Sequence, residues 1–172
     1  PDRLRFDFSH LTALTPEEIN EVQRIVNAKI RENLTVRAVE NSYKKAIAEG
    51  VIALFDEKYG DTVRVLKIGE PTVSAELCGG THINATGEIG YFHILSESSI
   101  GSGLRRIEAV TGRAAEEFIN QRLSSLENIA RSLGTLSDNI QGKLNEMVDD
   151  LDKERKQALT LERELSKKEA ET

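Results

Sequence analysis

The sequence predicts an α+β fold, a mainly antiparallel sheet with flanking helices followed by a long C-terminal helical, coiled-coil-like extension. Three observations point there. Beyond residue 60 the apolar residues fall in short strand-like runs cut by Gly-containing turns, with few helices between them, which favours antiparallel pairing. One strongly capped helix precedes these runs. From Thr111 the spacing of apolar residues changes to helical and stays so. At 172 residues, one compact domain over residues 1–112 with an appendage over residues 113–172 is the natural division.

In chain order, Leu4 to His10 is strand-like. Thr15-Pro16-Glu17-Glu18 then combines an N-cap, proline at the first helical position and glutamate in capping-box register. Ile19, Val22, Val26 and Ile30 follow at helical spacing, so a helix is expected over about 15–33. Leu34 to Val39 reads as a strand, and Ser42 to Ala48 as a short helix ended by Gly50. Val51 to Phe55 is an apolar run of either type. Strands are expected at Thr62 to Ile68, Thr72 to Leu77, Gly90 to Glu97 and Leu104 to Val110. They are separated by Gly60-Asp61, Gly69-Glu70-Pro71, Thr86-Gly87 and Gly101-Ser102-Gly103. Thr111 suits an N-cap for a helix carrying Phe118, Ile119, Leu123, Leu126, Ile129 and Leu133 on one side. Gly134, Thr135 and Ser137 mark a break. A second helix over about 137–169 places Ile140, Leu144, Met147, Leu151, Ala158, Leu161 and Leu165 at alternating steps of three and four, with Glu154 as the one polar seam position. Such a seam wants a partner. A helix of about 32 residues extends roughly 48 Å, so an intermolecular coiled coil, and hence a homo-oligomer through residues 137–169, is preferred over packing back on the domain.

Composition bounds the function. A chain with 38% hydrophobic and 30% charged residues suits a soluble intracellular, cytoplasmic protein, and a single cysteine excludes an internal disulfide framework. No apolar run approaches the roughly 18 residues of a membrane span, and no signal peptide is evident. The net charge is −6, and neither residues 1–120 nor residues 121–172 are basic, which argues against indiscriminate nucleic-acid binding.

The most informative stretch is Cys78-Gly79-Gly80-Thr81-His82. Alternation along Thr72 to Leu77 puts Ser74, Glu76 and Cys78 on one face and Val73, Ala75 and Leu77 on the other. The only cysteine thus ends a polar row, four positions from a histidine across a glycine pair. A thiolate and an imidazole so spaced read as half a zinc site, because zinc takes three protein ligands plus water or four protein ligands. They read equally as a small buried cysteine beside a turn, with His82 capping it. Gly79 and Gly80 allow the chain to fold His82 back toward the sulfur, and the polar row offers hydrogen bonds to ligands. His10 and His93 are isolated and read as half-exposed or satisfied histidines.

Around this pentapeptide stand Leu4-Arg5-Phe6-Asp7-Phe8-Ser9-His10, Leu54-Phe55-Asp56-Glu57-Lys58-Tyr59-Gly60-Asp61, Val63-Arg64-Val65, and Gly103-Leu104-Arg105-Arg106-Ile107-Glu108-Ala109-Val110-Thr111-Gly112. Together these five collinear blocks resemble the editing region of alanyl-tRNA synthetases, from about Leu4 to Gly112 and more weakly through the helical tail. Free-standing alanyl-tRNA editing proteins and the editing domain of threonyl-tRNA synthetases share the general layout.

The resemblance implies that residues 1–112 are a portion of an editing domain that hydrolyses serine or glycine misattached to tRNA(Ala), within an enzyme that ligates alanine using ATP. It implies that Cys78 and His82 are zinc ligands, completed in the family by an upstream His-x-x-x-His helix. Glu76 becomes a hydrogen-bond acceptor for a ligand or a proton carrier, against a solvated strand residue. Thr81 shapes the pocket by hydrogen bonding, against a simple turn role. On charge density Arg105 and Arg106 are the candidates to hold the tRNA acceptor end that the resemblance implies; the alternative is that one faces solvent while the other pairs with Glu108 or another acid. ATP and magnesium belong to an aminoacylation domain outside this chain. The chain opens at Pro1, downstream of where the family's histidine pair would lie. An excised fragment is therefore expected, one that by itself neither edits nor binds zinc tightly. Serine is told from alanine only by a buried polar partner for its hydroxyl, and the sequence assigns no residue to that contact. Two other classes stand beside this one: a free-standing editing hydrolase, and a structural oligomerisation module in which the Cys78 and His82 pair is vestigial.

Overall fold

Thr15 opens the first helix with both halves of its capping box made. Its hydroxyl accepts from the Glu18 amide at 3.2 Å, and its own amide donates to Glu18 Oε2 at 2.8 Å. The computed structural model describes residues 3–53 and 59–170, in two units, Pro1–Glu117 and Phe118–Thr172. The first holds β1 (Leu4–Ser9), α1 (Pro16–Arg31), β2 (Val36–Ser42), α2 (Tyr43–Ala48), β3 (Thr62–Ile68), β4 (Ser74–Leu77), a 3-10 turn (Thr86–Ile89), β5 (Phe92–Gly101), β6 (Leu104–Thr111) and the first turns of α3 (Gly112–Ser132).

The α+β class holds, and every strand pairing within the sheets is antiparallel. The strands form two three-stranded sheets, β1-β6-β5 and β2-β3-β4, rather than one. Helix α1 supplies a physical reason for this. Its side-chain amides occupy the edge of β5 as a neighbouring strand would: Asn27 Oδ1 accepts from the Phe92 amide at 2.9 Å, Asn27 Nδ2 donates to the Phe92 carbonyl at 2.8 Å, and Gln23 Oε1 accepts from the Ile94 amide at 2.9 Å. Those backbone groups have no need of a further strand. Ile30 of α1 then packs on Phe92, Ile94, Ile107 and Ala109, with Phe8, Leu14, Ile19, Val26 and Ile89 around them.

The second sheet has its own core, in which Ala46 of α2 and Val51 pack on Val63, Val65 and Leu77. Val65 is fully buried, a burial that stabilises by about 1.5–3 kcal/mol. Strand β2 begins two residues later than expected. Asn33 adopts φ +50° after α1, and the Leu34 amide donates to the Thr86 hydroxyl at 2.8 Å instead of entering the ladder. The same hydroxyl donates to the Lys29 carbonyl at 2.8 Å, so Thr86 ties the end of α1 to the 3-10 turn. Of the ambiguous run from Val51, Ile52 makes a parallel bridge to Glu76; residues 54 and 55 lie outside the described residues. Strand β5 runs four residues past the expected Glu97, with register shifts between Ile94 and Ser96 and between Ser99 and Gly101.

Glycine is required at one close approach. Gly90 sits at φ +71°, and a Cβ there would lie 2.9 Å from Gly112 Cα; Gly112, at φ +52°, donates its amide to the Tyr91 carbonyl at 3.0 Å as α3 starts.

In the second unit, α3 ends in a Schellman motif. Gly134, at φ +64°, donates to Arg131 O and Thr135 donates to Ala130 O. A 3-10 turn (Ser137–Asn139) leads into α4 (Ile140–Ala170), so the break at Gly134 falls where the sequence placed it and the long helix starts three residues later than expected. Leu123, Leu126 and Ile129 of α3 are 46–53% exposed, and Leu144, Met147, Leu151, Leu161 and Leu165 of α4 are 40–65% exposed. Among the described residues no helix is long and apolar enough to cross a membrane.

Candidate functional site

Strand β4 delivers the site. Leu77 and Ala75 face the core of the second sheet, while the Ser74 hydroxyl lies 3.2 Å from Glu76 Oε1 on the opposite face. Cys78 follows directly, half-buried and a free thiol. Its amide donates to the Arg64 carbonyl at 3.2 Å, which extends the β3–β4 pairing by one step beyond Val65 and Leu77.

From there the chain turns sharply, held by one guanidinium. Arg64 Nη1 donates to the Cys78 carbonyl at 2.8 Å and to the Gly80 carbonyl at 2.6 Å. The turn brings the His82 ring and the sulfur to the same glycine. A Cβ placed on Gly80 would lie 3.7 Å from Cys78 Sγ, 3.8 Å from His82 Cε1 and 3.9 Å from His82 Nε2, so thiol and imidazole border the same small space, which a side chain at position 80 would enter. Gly79 meets nothing within 4 Å. Thr81 and His82 are exposed, so the imidazole is reachable from solvent.

This cradle fits part of a zinc site. Sulfur and imidazole nitrogen are donors zinc favours, and they converge on one space. Among the described residues no group of three or more His, Cys, Asp and Glu side chains gathers to hold a metal, so two donors stand where three or four are needed. His10 Nδ1 is 2.8 Å from the Thr12 carbonyl, and the ring of His93 stacks on Tyr91 at 6.2 Å; neither joins the pair.

The two arginines marked by charge are engaged by carboxylates. Arg105 meets Glu97 through Nε and Oε1 and through Nη2 and Oε2 at 2.6 Å, with side chains only 13% and 5% exposed. Arg106 forks onto Asp7 with two bonds of 2.7 Å, joining β6 to β1. The Arg105 guanidinium holds the Glu97 carboxyl below its usual range, and Arg106 does the same to Asp7. A phosphate reaching either arginine would meet a guanidinium already forked onto a carboxylate.

Arg64 is the residue that reading the chain passed over. It stood in view as the polar member of Val63-Arg64-Val65, but its partners lie 14 and 16 positions away. Only the β3–β4 register reveals them. Asn27, Gln23 and Thr86, which lock α1 in place, gave no local signal either.

Residues 63–108, which span β3 to β6 and contain the cradle, match the family described as the threonyl and alanyl tRNA synthetase second additional domain. Across nearly its full length the chain is similar to alanine–tRNA ligases. It is 55% identical to that of Dehalococcoides mccartyi over 171 residues, covering 99% of this chain and 20% of the relative. It is 51% identical to that of Chloroflexus aurantiacus over 145 residues, covering 78% and 16%, and 44% identical to that of Thermotoga maritima over 174 residues, covering 99% and 20%. The chain therefore spans about one fifth of the length of the curated relatives it matches, and the similarity to alanine–tRNA ligases covers nearly the whole of it.

Proposed function

We propose that this chain is the second part of the editing domain of an alanine–tRNA ligase, with the helical segment that follows it, and that in the intact enzyme it serves hydrolysis of serine or glycine misattached to tRNA(Ala). The observation that carries the reading is the convergence of Cys78 Sγ and His82 Nε2 on one space beside Gly80, within the segment that matches the synthetase domain. Cys78 as thiolate and His82 as neutral imidazole would hold zinc together with donors from outside this chain. When bound, zinc supplies Lewis-acid polarisation of an ester carbonyl and a water acidic enough to attack it near neutral pH. Glu76, on the face of Cys78 and within hydrogen-bond distance of Ser74, carries the proton in this reading, and Thr81, exposed beside His82, shapes the pocket by hydrogen bonding. In this reading the tRNA acceptor end meets Arg105 and Arg106, each already paired with a carboxylate.

Replacing Cys78 or His82 by alanine in the full-length protein tests this. Hydrolysis of seryl-tRNA(Ala) should fall by two or more orders of magnitude while alanylation persists. Unchanged hydrolysis would leave the segment a structural module. With two donors, the isolated 172-residue chain should neither edit nor retain zinc through mild chelation; stoichiometric zinc after that treatment would refute the incomplete set.

One observation favours a second role beside the first. The apolar seam of α4 is exposed at Leu144, Met147, Leu151, Leu161 and Leu165, which supports pairing with a second copy through residues 137–169. A monomer by sedimentation at high concentration would remove that role.

A further inference from the structure

We infer that Arg64 is a positioning residue for the metal centre: its guanidinium fixes the turn between the two ligands, so that Cys78 and His82 face one space before any ion arrives. The inference rests on reading those two side chains as ligands. Nη1 of Arg64 donates to two carbonyls on the same turn, Cys78 at 2.8 Å and Gly80 at 2.6 Å, and its backbone carbonyl takes the Cys78 amide at 3.2 Å. Residue 64 thus holds three backbone groups of a three-residue stretch. The Gly79-Gly80 pair has no side chain to pack, and both residues are exposed. Glycine loses more backbone freedom on ordering than any other residue, so this turn has little else to hold it.

The anchor itself is firm. Arg64 is flanked on β3 by Val63 and Val65, both buried in the second core, so its backbone cannot drift. A charge-assisted bond to a neutral carbonyl is stronger than a neutral one, and both bonds here come from a cation. Arginine suits the task because its planar group meets the carbonyls in a fixed geometry, where lysine offers a mobile point charge. Without the clamp the ligands remain, but the cost of ordering the turn falls on the metal-binding step. Residues that orient ligands in this way typically change metal affinity by about 10–100-fold when removed.

The test is cobalt(II) binding to the full-length protein, prepared metal-free and carrying Cys78→Ala, Arg64→Ala or Arg64→Lys, read through the thiolate-to-cobalt charge-transfer band. Arg64→Ala should bind about 10–100-fold more weakly, with a shifted band and an unchanged number of sites. Arg64→Lys, which keeps a cation on β3, should fall between it and the unaltered protein. If Cys78→Ala abolishes the band while Arg64→Ala leaves affinity and band unchanged, the inference fails and the ligand reading stands. If Cys78→Ala leaves the band in place, the ligand reading fails and the inference falls with it. Should Arg64→Ala not fold, Arg64→Lys decides: affinity and band equal to the unaltered protein would overturn the proposal.

Discussion

Glu97 shows what the charges near the domain's core do. Its carboxyl is held below the ordinary value of 4.5 by the Arg105 guanidinium, so the folded state binds a proton less readily than the unfolded chain. The pair's contribution is therefore fully present above about pH 4.5 and is lost as pH falls through the lower folded value. Urea midpoints followed from about pH 6 to about pH 3 should drop less steeply for Glu97→Gln than for the unaltered chain; parallel curves would show that the pair does not set acid stability. Two glycines separate a position that requires glycine from one that does not. Gly90→Ala puts a side chain at φ +71° and 2.9 Å from Gly112 Cα, and should cost about 1–3 kcal/mol in urea unfolding. Gly80→Ala makes only ordinary contacts at 3.7 to 3.9 Å and should leave stability within about 0.5 kcal/mol. Similar losses at both positions would contradict the packing described at the start of α3.

At the scale of elements, α1 was legible because its signals are local: cap, proline and apolar spacing lie within its own residues. Strand β3 was legible from end to end for the same reason. What joins elements was not. Asn27 looks like an indifferent polar residue on a helix, yet it is buried and satisfies both backbone groups of Phe92. Asn27→Leu should cost about 1–3 kcal/mol, since a buried donor and acceptor are left without partners; amide exchange at Phe92 rising with no change in α2 or β3 would locate the loss. A cost near zero would mean that β5 does not depend on the helix. The split into two sheets was invisible for this reason: alternation tells which residues face inward, not which edge a helix will take.

For the whole molecule, the site was half legible. Cys78 and His82 sit close enough in sequence for their shared place beside Gly80 to be expected from the turn between them. Arg64 was hidden behind a cross-strand register, and the donors needed to complete a zinc set do not gather among the described residues. The helical segment poses a separate question of partners, because leucines of α4 are exposed and carry the proposed pairing with a second copy. Leu151→Glu and Leu161→Glu together should leave α4 helical by circular dichroism and shift sedimentation to monomer. X-ray absorption at the zinc edge of the full-length protein bears most directly on the ligand assignment. The spectrum should contain one sulfur at about 2.3 Å among nitrogen or oxygen ligands, and that sulfur should vanish in Cys78→Ala. A shell without sulfur, or a sulfur that survives the substitution, would contradict the account.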